Sequence, residues 1–198
     1  MKIIPLYPPS NTYSCIPYFV LGDWNAIEDV NTLIDPGPDD KVILEQVGRI
    51  NTGLGKNAVD QIIFTHGHYD HAGCAQNLKD QLNCRLLGNF QAEFIDQRLN
   101  DGQKIRIGDE ECEIIHAPFH SNDSICIYCR KHRLIFTGDT TIRVQRYETS
   151  YTESYCQFIK WLEKSGVKAV YGGHDPPIIE DLPHVLRHSI SILNQVHF

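Results

Sequence analysis

Short apolar, β-branched runs separated by turn residues dominate the chain, with few long amphipathic stripes. Residues 12–21 and 30–34 are predicted to be the arms of a β-hairpin around Gly22-Asp23-Trp24-Asn25. Asp35-Pro36-Gly37-Pro38 stops the second arm, and Asp39-Asp40 caps a helix in which Val42, Ile43, Val47 and Ile50 recur at helical spacing. Gly53-Leu54-Gly55 is the predicted end of that helix. Residues 61–64 form a buried strand, a helix runs on to about Leu82, and residues 85–87 form a short strand. Two further strand pairs follow, 103–107 with 111–117 and 124–129 with 133–137. Tyr155, Phe158, Ile159 and Leu162 stripe a helix, and residues 167–171 return as a strand. Leu182, Val185, Leu186, Leu193 and Val196 stripe a last helix, with Asp181 as its N-cap and Pro183 in its first turn. Strands outnumber helices and come in hairpins, which speaks against a doubly wound sheet. The length suits one domain over residues 1–198.

Composition narrows the class. Apolar residues make up 41% and charged ones 22%, as in ordinary globular proteins, and no apolar run approaches the ~20 residues of a membrane span. Prolines interrupt the first ten residues too early for the apolar core of a signal peptide. A net charge of −7 argues against a nucleic-acid partner. The basic run Arg130-Lys131-His132-Arg133 sits between two strand segments as a solvated hairpin turn. Seven cysteines without regular spacing point to reduced thiols and a cytoplasmic setting.

The stretch "FTHGHYDHAG" at residues 64–73 changes the picture, because it gathers His66, His68, Asp70 and His71 where a strand gives way to a helix. Three later strand segments end in comparable side chains: 111–117 leads to His120, 133–137 to Asp139, and 167–171 to His174. Strand ends sharing one rim would converge seven nitrogen and oxygen donors. His66 and His68, two residues apart, point the same way from an extended turn, while Asp70 and His71 can face a second point nearby. A carboxylate can bridge two cations, which suits Asp139. Imidazole with carboxylate and no thiolate favours two divalent ions, zinc first, with iron or manganese compatible with the same donors. Isolated histidines at 132, 184, 188 and 197 are expected to be surface residues. His116 is either a partner behind the ligands or, preferred here, a packed core residue.

The Thr65-His66-Gly67-His68-Tyr69-Asp70-His71 motif, His120, Thr137-Gly138-Asp139 and Gly173-His174 together resemble the metallo-β-lactamase superfamily in its glyoxalase II-like branch. Leu33-Ile34-Asp35-Pro36-Gly37 matches that family's early strand-end motif, whose Asp supports the metal site from behind the ligands. The matches run in order from residue 33 to 175. The resemblance implies an α+β fold, a four-layer αββα sandwich, with a dinuclear centre between the rims of two sheets. It assigns His66, His68 and His120 to one ion, Asp70, His71 and His174 to the other, and Asp139 to the bridge.

Departures refine this expectation. Ser121-Asn122-Asp123-Ser124 follows His120 where the family usually has Thr-Pro-Gly-Ser, and Asn or Asp is expected to adopt the left-handed conformation of the missing Gly. Tyr69 replaces a smaller residue, either walling the pocket or packing on the surface. Asp139 in place of Cys argues against a true β-lactamase, and His68 in place of Glu against a flavodiiron protein. The interval from Asp139 to His174 is too short for the inserted domain of the nucleases. The 24 residues after His174 are too few for the helical glutathione-binding domain of glyoxalase II.

The expected activity is metal-dependent hydrolysis of a small activated ester, thioester or lactone by a bridging hydroxide, with Asp70 or Asp139 carrying the proton. Arg143, Arg146 and Tyr147 follow the bridging Asp on a loop, to receive an anionic substrate tail or to face solvent. A mononuclear iron persulfide dioxygenase is the alternative, and a non-catalytic metal-binding domain a weaker one. Cys126-Ile127-Tyr128-Cys129 lies in a strand that puts its two thiols on opposite faces, so it is not expected to chelate an ion. Cys74 is expected to be a small buried hydrophobe.

Overall fold

Residues 1–146 and 151–195 are described by the structure, a computed structural model. Strand β1 (Lys2–Pro5), β2 (Tyr18–Leu21), β3 (Thr32–Ile34), β4 (Gln61–Ile63), β5 (Arg85–Gly88) and β6 (Gln97–Arg98) form one sheet in sequence order. In the second sheet β7 (Lys104–Ile107), β8 (Glu110–His116), β9 (Ile125–Cys129), β10 (Leu134–Gly138) and β11 (Ala169–Gly172) also lie in sequence order. Helices α1 (Asp40–Gly48), α2 (Tyr69–Ala72) and α3 (Ala75–Leu82) arise from the first half, α4 (Glu153–Ser165) and α5 (Leu182–Leu193) from the second.

Period-two alternation explains the layers. Tyr18, Val20, Ile34, Ile63 and Leu87 of the first sheet meet Ile107, Ile114, Ile127 and Phe136 of the second in a shared apolar layer. Their neighbours Phe19, Leu21, Leu33, Ile62 and Leu86 point the other way, onto Ile43, Val47 and Leu78 of α1 and α3. Cys126, Tyr128, Ile135 and Val170 do the same toward α4 and α5. Three apolar layers therefore separate four structural ones, giving the αββα sandwich. Each buried aliphatic or aromatic side chain contributes about 1.5–3 kcal/mol, and a one-residue slip would reverse every strand's faces.

Side chains cap α1 as expected and α4 unexpectedly, whereas Asp181, at the N-cap position of α5, makes no side-chain cap hydrogen bond. Asp39 Oδ1 accepts from Lys41 N and Val42 N at the start of α1, and Thr152 Oγ1 accepts from Tyr155 N at the start of α4. α4 ends on left-handed Gly166.

Several expectations need correction. α1 ends at Gly48, before Gly53-Leu54-Gly55, and the helix after the histidine cluster is broken into α2 and α3. β1 and β6 were not anticipated, because a proline-rich start and a two-residue strand leave little periodic signal. β3, β4, β5 and β6 run parallel, so hairpins account for only part of the first sheet. Tyr147, Val196 and His197 lie outside the described residues.

The cysteines also depart from expectation. Cys126 and Cys129 do face opposite layers, yet Cys129 is disulfide-bonded to Cys112, its neighbour on β8 with Cα atoms 4.4 Å apart. The other five thiols are free and buried, Cys74 among them. Seven reduced thiols is thus overturned, and no compartment follows from the cysteine count. Thiol titration of unfolded protein should give five before reduction and seven after. Replacing Cys112 and Cys129 with alanine should cost about 2–4 kcal/mol in urea unfolding and leave metal uptake unchanged.

Candidate metal centre

The two rims are joined by backbone hydrogen bonds before any donor is considered. Ile125 N of the second sheet donates to Thr65 O after β4 and Ile16 N to Gly173 O, while Cys15 N to Asp70 O ties together two loops of the first sheet. Asp35, left-handed at φ 49°, turns its carboxylate back over the ends of β3 and β4. There it accepts from Thr65 N at 2.7 Å and Thr65 Oγ1 at 2.6 Å, and it lies 3.0 Å from His71 Nδ1. His71 is thereby turned so that Nε2 faces the rim. Gly173 completes the space, since a Cβ there would fall 2.3 Å from Asp139 Oδ1 and 2.8 Å from the His71 ring.

All seven expected donors come together, in two groups. His66, His68 and His120 form one, and Asp70, His71, Asp139 and His174 the other, with one donor atom of each residue within 4.8 Å of the rest of its group. In the first, His68 Nδ1 lies 3.1 Å from His66 Nε2 and 2.9 Å from His120 Nε2. In the second, His174 Nε2 lies 3.2 Å from Asp70 Oδ2, and His71 Nε2 lies 3.1 Å from Asp139 Oδ1. Asp139 Oδ2 reaches toward both, at 3.4 Å from His174, 3.6 Å from His120 and 3.9 Å from His66. The donors come from β4 in one sheet and β8, β10 and β11 in the other, so the strands face across the rim rather than lying side by side in one sheet.

Metal ions fit this donor set. Buried His71 Nε2 and Asp139 Oδ1 have no aligned hydrogen-bond partner, although each faces the other. A cation would satisfy both. Burial pushes the His66 imidazole down to about 4, leaving it neutral and able to ligate at ordinary pH. Burial opposes ionisation of His71, but the Asp35 charge and contact with Asp139 win and raise it. Contact with Asp139 raises His174 as well. Burial would raise the Asp139 carboxyl, yet His174 and His71 hold it well below the carboxylate range.

Other expected residues fall elsewhere. His116 is an exposed strand-end residue rather than a core one, and its Nε2 lies 2.9 Å from Asn122 O in the turn after His120. Tyr69 is 73% exposed and lies outside the cleft beside the donors, so it packs on the surface. His184 and His188 are exposed as expected, while His132 lies 3.3 Å from Glu110 Oε1. The cleft, about 790 Å³, is lined by Phe119, Tyr151 and Tyr155 on an aromatic side and by Arg143, Gln145 and Arg146 on a polar one. Tyr13, unmarked by any motif, stacks on His174 with ring centroids 5.9 Å apart.

An αββα sandwich whose inter-sheet rim carries one group of three histidines and one of two histidines with two aspartates defines a metalloenzyme-like architecture. The superfamily profile "Metallo-beta-lactamase superfamily" matches residues 19–89 and 85–186, and the chain belongs to that family. It is similar to a "Probable hydroxyacylglutathione hydrolase glo2" of Schizosaccharomyces pombe, at 30% identity over 70% of this chain and 53% of that protein. A "Hydroxyacylglutathione hydrolase" of Chelativorans sp. is 27% identical over 74% of this chain and 58% of its own length. These similarities place the chain in the glyoxalase II-like branch. It spans little more than half the length of these two relatives. Among solved structures, ETHE1 from Myxococcus xanthus shares the fold, with a TM-score of 0.74 at 19% identity over 98% of this chain and 85% of that one. No helix among the described residues is long and apolar enough to cross a membrane.

Two outcomes follow from this geometry. Gly173→Ala should sharply lower bound metal while the protein stays folded, as measured by elemental analysis beside circular dichroism. Because His71 and His174 hold protons more tightly than usual, an incoming ion must displace them, so affinity should rise with pH. Calorimetry in buffers of different ionisation enthalpy should show about one to two protons released on zinc binding.

Proposed function

We propose that this protein is a hydrolase of small activated esters, thioesters or lactones that works with two divalent ions, zinc in the first instance. The observation that carries this reading is the position of Asp139, whose carboxylate reaches toward both donor groups. His66, His68 and His120 would hold one ion, Asp70, His71 and His174 the other, with Asp139 between them. Zinc supplies Lewis acidity and a water whose pKa falls to about 7. The names of the relatives, hydroxyacylglutathione hydrolases, support acyl cleavage.

The chain's own residues would perform the remaining work. Exposed Arg143, on the polar side of the cleft, receives an anionic group of a small-molecule substrate. Phe119, whose ring packs 5.3 Å from that of Tyr155, presents an apolar wall to an acyl chain. Asp70 or Asp139 would take the proton released when the attacking water becomes hydroxide and pass it to the departing group.

Asp139→Ala should abolish turnover and lower metal content, whereas His188→Ala on the exposed side of α5 should do neither. Full metal and full turnover in Asp139→Ala would remove the bridging assignment. A panel of short acyl thioesters, acyl-homoserine lactones and a chromogenic cephalosporin should show hydrolysis of the first two classes, with little of the third. The rate should rise as pH passes through about 7. One iron per chain, with oxygen uptake on a persulfide and no hydrolysis, would replace this reading by the dioxygenase one.

A further inference from the structure

The three histidines of the first donor group come from two loops about fifty residues apart, 66–68 and the turn that carries His120. One side chain stitches those loops together. Asp123 Oδ2 accepts a 2.7 Å hydrogen bond from Gly67 N, the amide between His66 and His68. The turn bearing Asp123 is itself fixed. Ser124 N donates to Ser121 O at 3.1 Å, Ser124 Oγ accepts from Ser121 N at 3.1 Å, and the two serine hydroxyls lie 2.7 Å apart. On the far side, Asn122 O lies 2.9 Å from His116 Nε2, and Asp101 Oδ1 accepts from His116 N at 2.8 Å.

This corrects the expectation of a left-handed residue replacing the family's glycine. Neither Asn122 nor Asp123 has a positive φ. The turn is closed by its serines, leaving the Asp123 carboxylate to reach Gly67. Gly67 lies between that carboxylate and the Phe90 ring, with a hypothetical Cβ 3.3 Å from the one and 3.2 Å from the other. Rotation of that peptide would swing both flanking imidazoles, because residues two apart on extended backbone share a side.

The geometry points to Asp123 as a positioning residue that latches the His66–His68 peptide to the His120 turn and so sets the spacing of the three imidazoles around one ion. The inference rests on the proposed reading that this group holds a metal ion. A carboxylate accepting a backbone N–H makes a strong, directional hydrogen bond, and partners behind the ligands commonly set metal affinity.

The test is zinc titration against a competing chelator, with cobalt(II) spectra reporting the coordination and thermal melts of metal-free protein reporting the fold. Asp123→Ala should weaken one of two zinc equivalents about ten- to a hundred-fold, leave the other unchanged and alter the cobalt spectrum. Asp123→Asn, which retains an acceptor oxygen, should restore most of the affinity. Asp123→Gly removes the carboxylate at low steric cost and serves if the alanine variant does not fold. Asp96→Ala is the control, since Asp96 Oδ2 accepts from Leu86 N at 2.8 Å in a loop stitch away from the donors. It should lower the melting temperature without changing either zinc equivalent. Two outcomes overturn the latch: unchanged zinc affinities in Asp123→Ala and Asp123→Gly, or equal weakening of both equivalents with loss of metal-free stability. Wild-type protein with no zinc equivalent sensitive to His68→Ala would instead overturn the metal reading itself.

Discussion

The Asp35 carboxylate is the constraint on which the rim depends. It closes the end of β3 by a left-handed turn, binds the backbone and hydroxyl of Thr65 after β4, and faces Nδ1 of His71. One side chain thus joins two parallel strands and fixes the orientation of a fully buried imidazole. A buried carboxylate is costly unless its oxygens are satisfied, and here the amide and hydroxyl of Thr65 and the His71 ring face them. The same placement turns His71 Nε2 toward Asp139, across the junction of the sheets.

Around that fixed point the donors grade from dry to open. His66 and His71 are buried, whereas His68, His120 and His174 are exposed, the last two lining the cleft. A rigid inner half with an accessible outer half suits a site that must hold its ligands while admitting a substrate. Small residues make this density feasible. Left-handed Gly138 passes so close to Thr65 that a Cβ would fall 2.2 Å from Thr65 Oγ1, and Gly173 leaves room for Asp139 and His71.

The apolar layers explain why the rims are in register at all. Alternation along β2, β3 and β4 faces one set of side chains to the second sheet and the other to α1 and α3. Backbone bonds such as Ile125 N to Thr65 O then join the sheets at the end where the donors lie. The Cys112–Cys129 disulfide pins β8 to β9 within the inter-sheet layer, at the end of that hairpin away from the turn that carries His120.

What the sequence determined by itself was local: the histidine cluster at a strand end, the Asp39 cap, the stripe of α4, and the opposite faces of Cys126 and Cys129. Each depends on a period of two or 3.6 residues or on a capping side chain, so a short window carries the signal. The seven donors were legible for the same reason, as polar residues that follow apolar strands. Tertiary structure alone decided what those residues meet. The parallel pairing of β3 through β6, the disulfide to Cys112, the surface position of Tyr69 and the contact of Asp123 with Gly67 all join positions distant in sequence. So does the stacking of Tyr13 on His174. Such partners are chosen by how two sheets pack across a shared core, and no local pattern of hydrophobic and polar residues encodes that choice.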